Sequence, residues 1–252
     1  MLKRRIIPTM LYADFGLVKG QGFNAWRRTG SVIQTVKIYN MRNVDELVLL
    51  DINATTENRE PDYKLIHDVA DECFMPFSVG GGIRTVEQIR KVLIAGADKV
   101  VLNTAAIETP ELIKEASETF GNQCIVVSLD AKKVDGEYKV FTHSGKKETS
   151  YSLVDAAKMV ESYGAGELLV TRIEIDGSMV GYDHELFKLA VENVSIPVIG
   201  GGGAKDYQDM YYAFDCSGVD ALAAAAIFHF TEQTPNEAKL YLAQQGISVR
   251  NS

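Results

Sequence analysis

Eight times along the chain, a short apolar run of strand length is followed by an amphipathic stretch of helix length. The apolar runs fall at 5–10, 47–52, 76–79, 100–102, 124–129, 168–171, 197–199 and 221–224. The amphipathic stretches fall at 31–41, 62–72, 85–95, 110–120, 152–163, 184–193, 205–215 and 235–245. Apolar residues recur there at spacings of three and four, as in Val86, Ile89, Val92, Leu93 and in Leu153, Ala156, Ala157, Val160. Pro110 and Pro235 stand where a first helical turn begins, behind Thr109 and Thr234 as expected caps. Strands that are apolar at successive positions are buried on both faces, which is the condition of a parallel sheet. Eight such units in 252 residues predict an α/β fold, a single (β/α)8 TIM barrel over 1–252.

The halves of the sequence also resemble each other. Met75-Pro76-Phe77-Ser78-Val79-Gly80-Gly81-Gly82 matches Ile196-Pro197-Val198-Ile199-Gly200-Gly201-Gly202-Gly203, and Glu46-Leu47-Val48-Leu49 matches Glu167-Leu168-Leu169-Val170. Gly96-Ala97-Asp98 matches Gly218-Val219-Asp220, and the run from Ile6 to Leu11 matches that from Ile125 to Asp130. The matches lie roughly 120 residues apart, so a half-barrel repeat is expected, with halves near 1–122 and 123–252. Two long segments interrupt the regular spacing, 12–30 and 131–150. The second reads as a hairpin turning at Asp135-Gly136. Both follow strands, so both belong to the C-terminal rim, where barrel enzymes keep binding loops and lids.

Composition narrows the function. A net charge of −8 disfavours nucleic acid or an anionic membrane as the main partner. Three cysteines without a CxxC pair suggest neither disulfides nor zinc, and are read as free thiols in a reducing cytoplasm. Four histidines without metal-ligand spacing suggest no metal, and no cofactor is expected. No apolar run approaches the length of a membrane helix.

The chemistry-bearing residues gather at strand ends. Gly80-Gly81-Gly82 and Gly200-Gly201-Gly202-Gly203 end the third and seventh apolar runs, where backbone N–H groups can approach a phosphate. Asn103-Thr104 and Ala225-Ala226 follow one unit later, so a phosphorylated small molecule is the expected substrate. The plainer alternative is that these glycines only make tight turns. Asp176-Gly177-Ser178 offers further donors. Asp130 ends the fifth run, where a carboxylate can serve as acid or base. Its repeat partner is Leu11. Asp14 and Asp51 are other carboxylates on this face, and Lys19 in Val18-Lys19-Gly20 can reach over a substrate. At the opposite end, Arg5, Glu46, Lys99 and Glu167 open strands, and two cations with two anions make either a structural plug or a gate.

Taken together these residues resemble the cyclase subunit of imidazole glycerol phosphate synthase, of histidine biosynthesis. The resemblance covers essentially the whole chain. It is carried by Arg4-Arg5-Ile6-Ile7-Pro8, Val18-Lys19-Gly20, the segment from Asp45 to Ile52, Gly80-Gly81-Gly82-Ile83, Asn103-Thr104-Ala105-Ala106, Leu129-Asp130-Ala131-Lys132, Asp176-Gly177 and Phe228-His229-Phe230. It implies a heterodimer with a glutamine amidotransferase docked on the barrel floor, near Asp98. Ammonia would then pass a gate of Arg5, Glu46, Lys99 and Glu167 and travel along the barrel to a bisphosphate. It also implies phosphate ligands at Gly82, Asn103, Thr104, Asp176, Gly177 and Gly203. The family's catalytic pair would be Asp130 and the residue at position 11. Leu11 stands in that second place, so the resemblance points to a paralogue similar to those that accompany amidation of surface-polysaccharide sugars. A true cyclase, or a non-catalytic scaffold that activates its glutaminase, are the other readings.

Overall fold

A parallel strand in a barrel needs a hydrogen-bonded neighbour on each side, so the last strand must find the first. The computed structural model describes residues 3–13 and 16–250. Its strands are β1 (Arg5–Ala13), β2 (Gly16–Gln21), β3 (Asn24–Gly30), β4 (Leu47–Asp51), β5 (Phe77–Gly80), β6 (Lys99–Leu102), β7 (Ile125–Val134), β8 (Glu137–Thr142), β9 (Lys147–Ser152), β10 (Glu167–Arg172), β11 (Val198–Gly201) and β12 (Ala221–Ala224). The helices are α1 (Val32–Met41), α2 (Tyr63–Ala70), α3 (Val86–Ile94), α4 (Thr104–Glu108), α5 (Glu111–Phe120), α6 (Leu153–Ser162), α7 (His184–Val191), α8 (Tyr207–Ser217), α9 (Ala226–Phe230) and α10 (Pro235–Gln244). Strands β1, β4, β5, β6, β7, β10, β11 and β12 pair in parallel, and the circle closes through both β12–β1 and β7–β10. This is a closed (β/α)8 barrel, as the alternation predicts.

The helices start where short polar side chains can cap them. Asp62, Thr85, Ser152, Asp183, Asp206 and Thr234 each accept the N–H three residues on. Thr109 does not cap α5: it closes the short helix α4, its N–H bonding to Ala105, and Pro110 leads α5 without a side-chain cap.

Both rim insertions are β-hairpins. β7 runs past the barrel to Val134 and turns through Asp135-Gly136 into β8, as expected. Segment 12–30 departs from a simple loop: β1 continues to Ala13, and β2 and β3 form an antiparallel ribbon on it. Val18, buried beneath this ribbon, packs on Leu11 and Ala13 with Trp26, Leu50 and Ile52 beside them. That apolar contact holds the ribbon against the rim.

Alternation along the strands sorts the barrel interior into layers. Arg5, Glu46, Lys99 and Glu167 form the floor. Ile7, Val48, Val101, Val126, Leu169, Ile199, Ala221 and Ala223 form an apolar middle. Thr9, Leu11, Asn103, Ser128, Asp130 and Thr171 face the mouth.

One buried ion pair fixes the base of the first strands. Lys239 of α10 bonds Asp45 at 3.0 Å and the Asn43 carbonyl at 2.7 Å, while Asp45 also accepts the N–H of Ile6. Both side chains are almost fully buried. Breaking such a pair from one side strands a charge. Lys239→Ala should therefore cost about 3 kcal/mol in urea unfolding. The double change Lys239→Met with Asp45→Asn should recover most of that loss.

Candidate functional site

The four floor residues are mutually bonded. Arg5 reaches Glu46 at 2.7 Å and Glu167 at 2.8 Å, and Lys99 reaches Glu46 at 3.0 Å and Glu167 at 2.8 Å. Ser78 donates to Glu46 as well, at 3.0 Å. Two cations and two anions thus alternate around the axis, each carboxylate held by both cations. Asp98 lies at the same end, exposed, with one oxygen accepting the N–H of Phe77 at 2.8 Å. The segments that lead from helices back to strands also carry exposed apolar side chains that the sequence reading missed: Met41 is 80% exposed, Phe74 85% and Ile94 78%. Each ends a helix or follows one, off the helix's buried face. That position was the available signal.

At the mouth a cavity of about 390 Å³ is lined by residues of β1, β4, β6, β7, β10, β11 and β12, and by Gly81 and Gly82 just after β5. Asp130 sits deep in it. Asn103 Nδ2 donates to it at 3.0 Å and Ser128 Oγ at 3.4 Å. Burial pushes its carboxyl up to about 7. The two hydrogen bonds oppose that shift, and the nearby charge of Asp176 adds to it. A carboxyl poised there can hold or release a proton near neutral pH. Leu11 lines the same cavity with no titratable group. Asp14 lies outside the described residues. Asp51 is otherwise engaged, accepting from the N–H groups of Asn53 and Ala54 and pairing with Arg59 at 3.1 Å.

Lys19 is not a solvated loop residue. The ribbon folds it inward to 2% exposure, and its ammonium pairs with Asp176 at 2.5 Å. The Gly22 N–H also bonds the Asp176 carbonyl, so the ribbon is latched to the turn after β10. Gly177 permits this: it has φ +73°, and a Cβ there would stand 2.0 Å from the Gly20 carbonyl oxygen. Trp26 lines the cavity wall beside Leu11.

The glycine turns flank the cavity from two sides. Gly82, Asn103 and Thr104 lie on one, and Gly177, Gly202 and Gly203 with Asp176 on the other. Thr104 opens α4 and Ala226 opens α9, so a hydroxyl on the first side faces a methyl on the second. Ser178, expected to compensate, instead donates its hydroxyl to Ile175 within its own turn. Two side chains on the first side escaped the sequence reading. Thr55 accepts the N–H of Gly82 at 3.3 Å, and Arg84 reaches back to the Gly82 carbonyl. The signal for Arg84 was its place two residues after the glycine run. Among the described residues no group of three or more His, Cys, Asp or Glu can hold a metal ion, and no helix is long and apolar enough to cross a membrane.

A closed barrel with a polar, glycine-flanked mouth and a charged floor defines a (β/α)8 protein of the histidine biosynthesis protein family, whose profile matches residues 5–234. The particular branch follows from full-length relatives. The chain is 46% identical to the imidazole glycerol phosphate synthase subunit HisF of Chlorobaculum tepidum, over 99% of this chain and all of that protein. It is 45% identical to the same subunit of Chlorobium luteolum and 46% to that of Prosthecochloris aestuarii, with the same coverage. The chain belongs to the family of this imidazole glycerol phosphate synthase cyclase subunit.

The position of Asp130 has a measurable consequence. An acid whose folded pKa is raised binds its proton more tightly in the folded state, so its contribution to stability is greatest below the unfolded value near 4. That contribution is lost as pH rises through about 7. Asp130→Asn should therefore gain stability relative to the parent chain between pH 4 and pH 8, on the order of a few kcal/mol. Carboxyl carbon NMR should place the Asp130 titration near neutrality. A midpoint near 4 contradicts the burial argument.

Proposed function

We propose that the chain is the ammonia-accepting barrel subunit of a glutaminase-dependent synthase, and that its mouth does not perform the family's ring closure. The observation that carries this reading is Leu11. It leaves Asp130 as the single carboxyl of an expected pair and turns the opposite wall apolar, with Val18, Trp26, Leu50 and Ile52 behind it. Loss of one acid–base group lowers a rate by about 10²–10⁴-fold. The floor keeps what ammonia transfer requires. A glutamine amidotransferase would dock on Asp98, Met41, Phe74 and Ile94, an exposed apolar surface of the kind partners cover. Arg5, Glu46, Lys99 and Glu167 would form the gate. Beyond it the apolar layer from Ile7 to Ile199 favours neutral ammonia over ammonium, because a lone charge there would be desolvated without a partner.

In this reading Asp130 and Lys19 act on the ligand at the mouth, and the glycine turns at Gly82, Asn103, Thr104 and at Asp176, Gly177, Gly202, Gly203 offer phosphate sites. The ammonia would pass to another acceptor, a sugar carboxyl group being the class that the family's paralogues imply. The two halves, near 1–122 and 123–252, would be copies of one ancestral unit, and the cytoplasm is the expected compartment.

A second reading is favoured by the full-length similarity to imidazole glycerol phosphate synthase subunits. In it the chain closes the imidazole ring with Asp130 and another group in place of position 11. Complementation separates the two. A histidine auxotroph lacking the cyclase should stay without growth on minimal medium when it expresses this chain as soluble protein with a functional glutaminase. Growth would overturn the first reading in favour of the second.

A further inference from the structure

The walls of the mouth differ in kind. One is apolar and carries the chain's single tryptophan. Leu11, Val18, Leu50 and Ile52 gather there with Trp26, and Trp26 lines the cavity. The indole is half-buried and backed by the ribbon. A Cβ on Gly20 would stand 3.0 Å from Trp26 Cε3 and 1.9 Å from the Asn24 carbonyl oxygen, so only glycine lets the chain pass this closely behind the ring. Among the described residues nothing accepts a hydrogen bond from its Nε1–H.

The facing wall is polar. Asp130 accepts one hydrogen bond on each oxygen, from Asn103 and from Ser128, which leaves lone pairs for a ligand. Thr171, its register neighbour on β10, lines the same cavity, and its hydroxyl has no partner among the described residues. A purely apolar ligand would strand both groups away from water. A nucleobase would cover the indole but would turn a second apolar face to the polar wall. A sugar ring suits both walls. It offers C–H bonds on one face, which the negative face of an indole attracts, and hydroxyls on the other face and around its edge. The cavity also ends the axial path: Val101, Leu169 and Ala223 belong both to it and to the apolar middle layer.

We infer that the mouth binds a sugar as a closed ring, with its C–H face stacked on Trp26 and its hydroxyls on Asp130 and Thr171. The sugar that accepts the ammonia is then held in the mouth itself, where the apolar layer opens. This rests on the reading of a sugar carboxyl as the acceptor and deepens it. Failure to bind a sugar removes this inference alone, whereas growth of the histidine auxotroph removes that reading.

Trp26 emission in the full chain reports the contact, since no other tryptophan contributes. Methyl glycosides of glucuronic, galacturonic and mannuronic acid are the probes, because the glycosidic methyl keeps the ring closed. At least one should change the emission along a saturable curve at millimolar concentration. Gluconate, which has the carboxylate and the hydroxyls but no ring, should leave it unchanged. In saturation-transfer NMR the indole protons should pass magnetisation to the C–H protons of one sugar face. Trp26→Leu keeps the wall apolar and should weaken binding about tenfold by calorimetry, the scale of a lost aromatic face, and Trp26→Phe should restore part of the loss. Thr171→Val, which leaves the ribbon untouched, should weaken it about fivefold. Silence with all three glycosides would overturn the inference, as would equal binding of gluconate or tighter binding of adenosine. Unchanged affinity in Trp26→Leu or in Thr171→Val would overturn it too.

Discussion

Closure of the parallel strands is the constraint on which the rest depends. Once β7 pairs with β10 and β12 with β1, none of the eight barrel strands keeps an open edge, and their C-terminal ends share one rim. The side chains that alternate inward then meet from every direction. Charged residues are tolerated at the floor because four of them satisfy one another. Removing any one would leave two partly buried neighbours each with one partner instead of two. The same closure brings Asp130, Asn103, Thr171 and Leu11 to one cavity from strands far apart in sequence.

The mouth is built on a contrast between two walls. On β6 and β7, Asn103, Ser128 and Asp130 make a small hydrogen-bonded set around a carboxyl shielded from water. Facing it, β1, β4 and the β2–β3 ribbon supply Leu11, Leu50, Ile52, Val18 and Trp26. The apolar wall also has a structural task, since it seats the ribbon that buries Lys19 against Asp176. Position 11 therefore couples two properties. A carboxylate there would add a titratable group to the mouth and would also put a charge against Val18 and Trp26.

Much of the fold was legible because periodicity reports burial directly. The apolar runs and the amphipathic stretches became strands and helices with boundaries shifted by a few residues, and Thr85, Ser152 and Thr234 cap where their chemistry suggests. The β2–β3 ribbon was less legible: its glycines and charges resemble those of a loop, and it exists through the pairing of β2 with β1 and of β3 with β2. The floor ring was visible as four charges at strand starts. The pairing of Lys19 with Asp176 was not, because it spans the barrel. Arg84 and Thr55 were also overlooked. Thr55 belongs to the loop after β4, and only the fold sets it on Gly82, whereas Arg84 follows the glycine run by two residues.

The central claim is that the mouth lacks a working partner for Asp130 while its scaffold is otherwise intact. Its most direct test is turnover of the cyclase substrate with an ammonium salt replacing the glutaminase, comparing the parent chain with Leu11→Asp. The account predicts a feeble parent and a gain of roughly 10²-fold or more in the variant, the scale of a restored acid–base group. Efficient turnover by the parent chain, unchanged or reduced by Leu11→Asp, would contradict it.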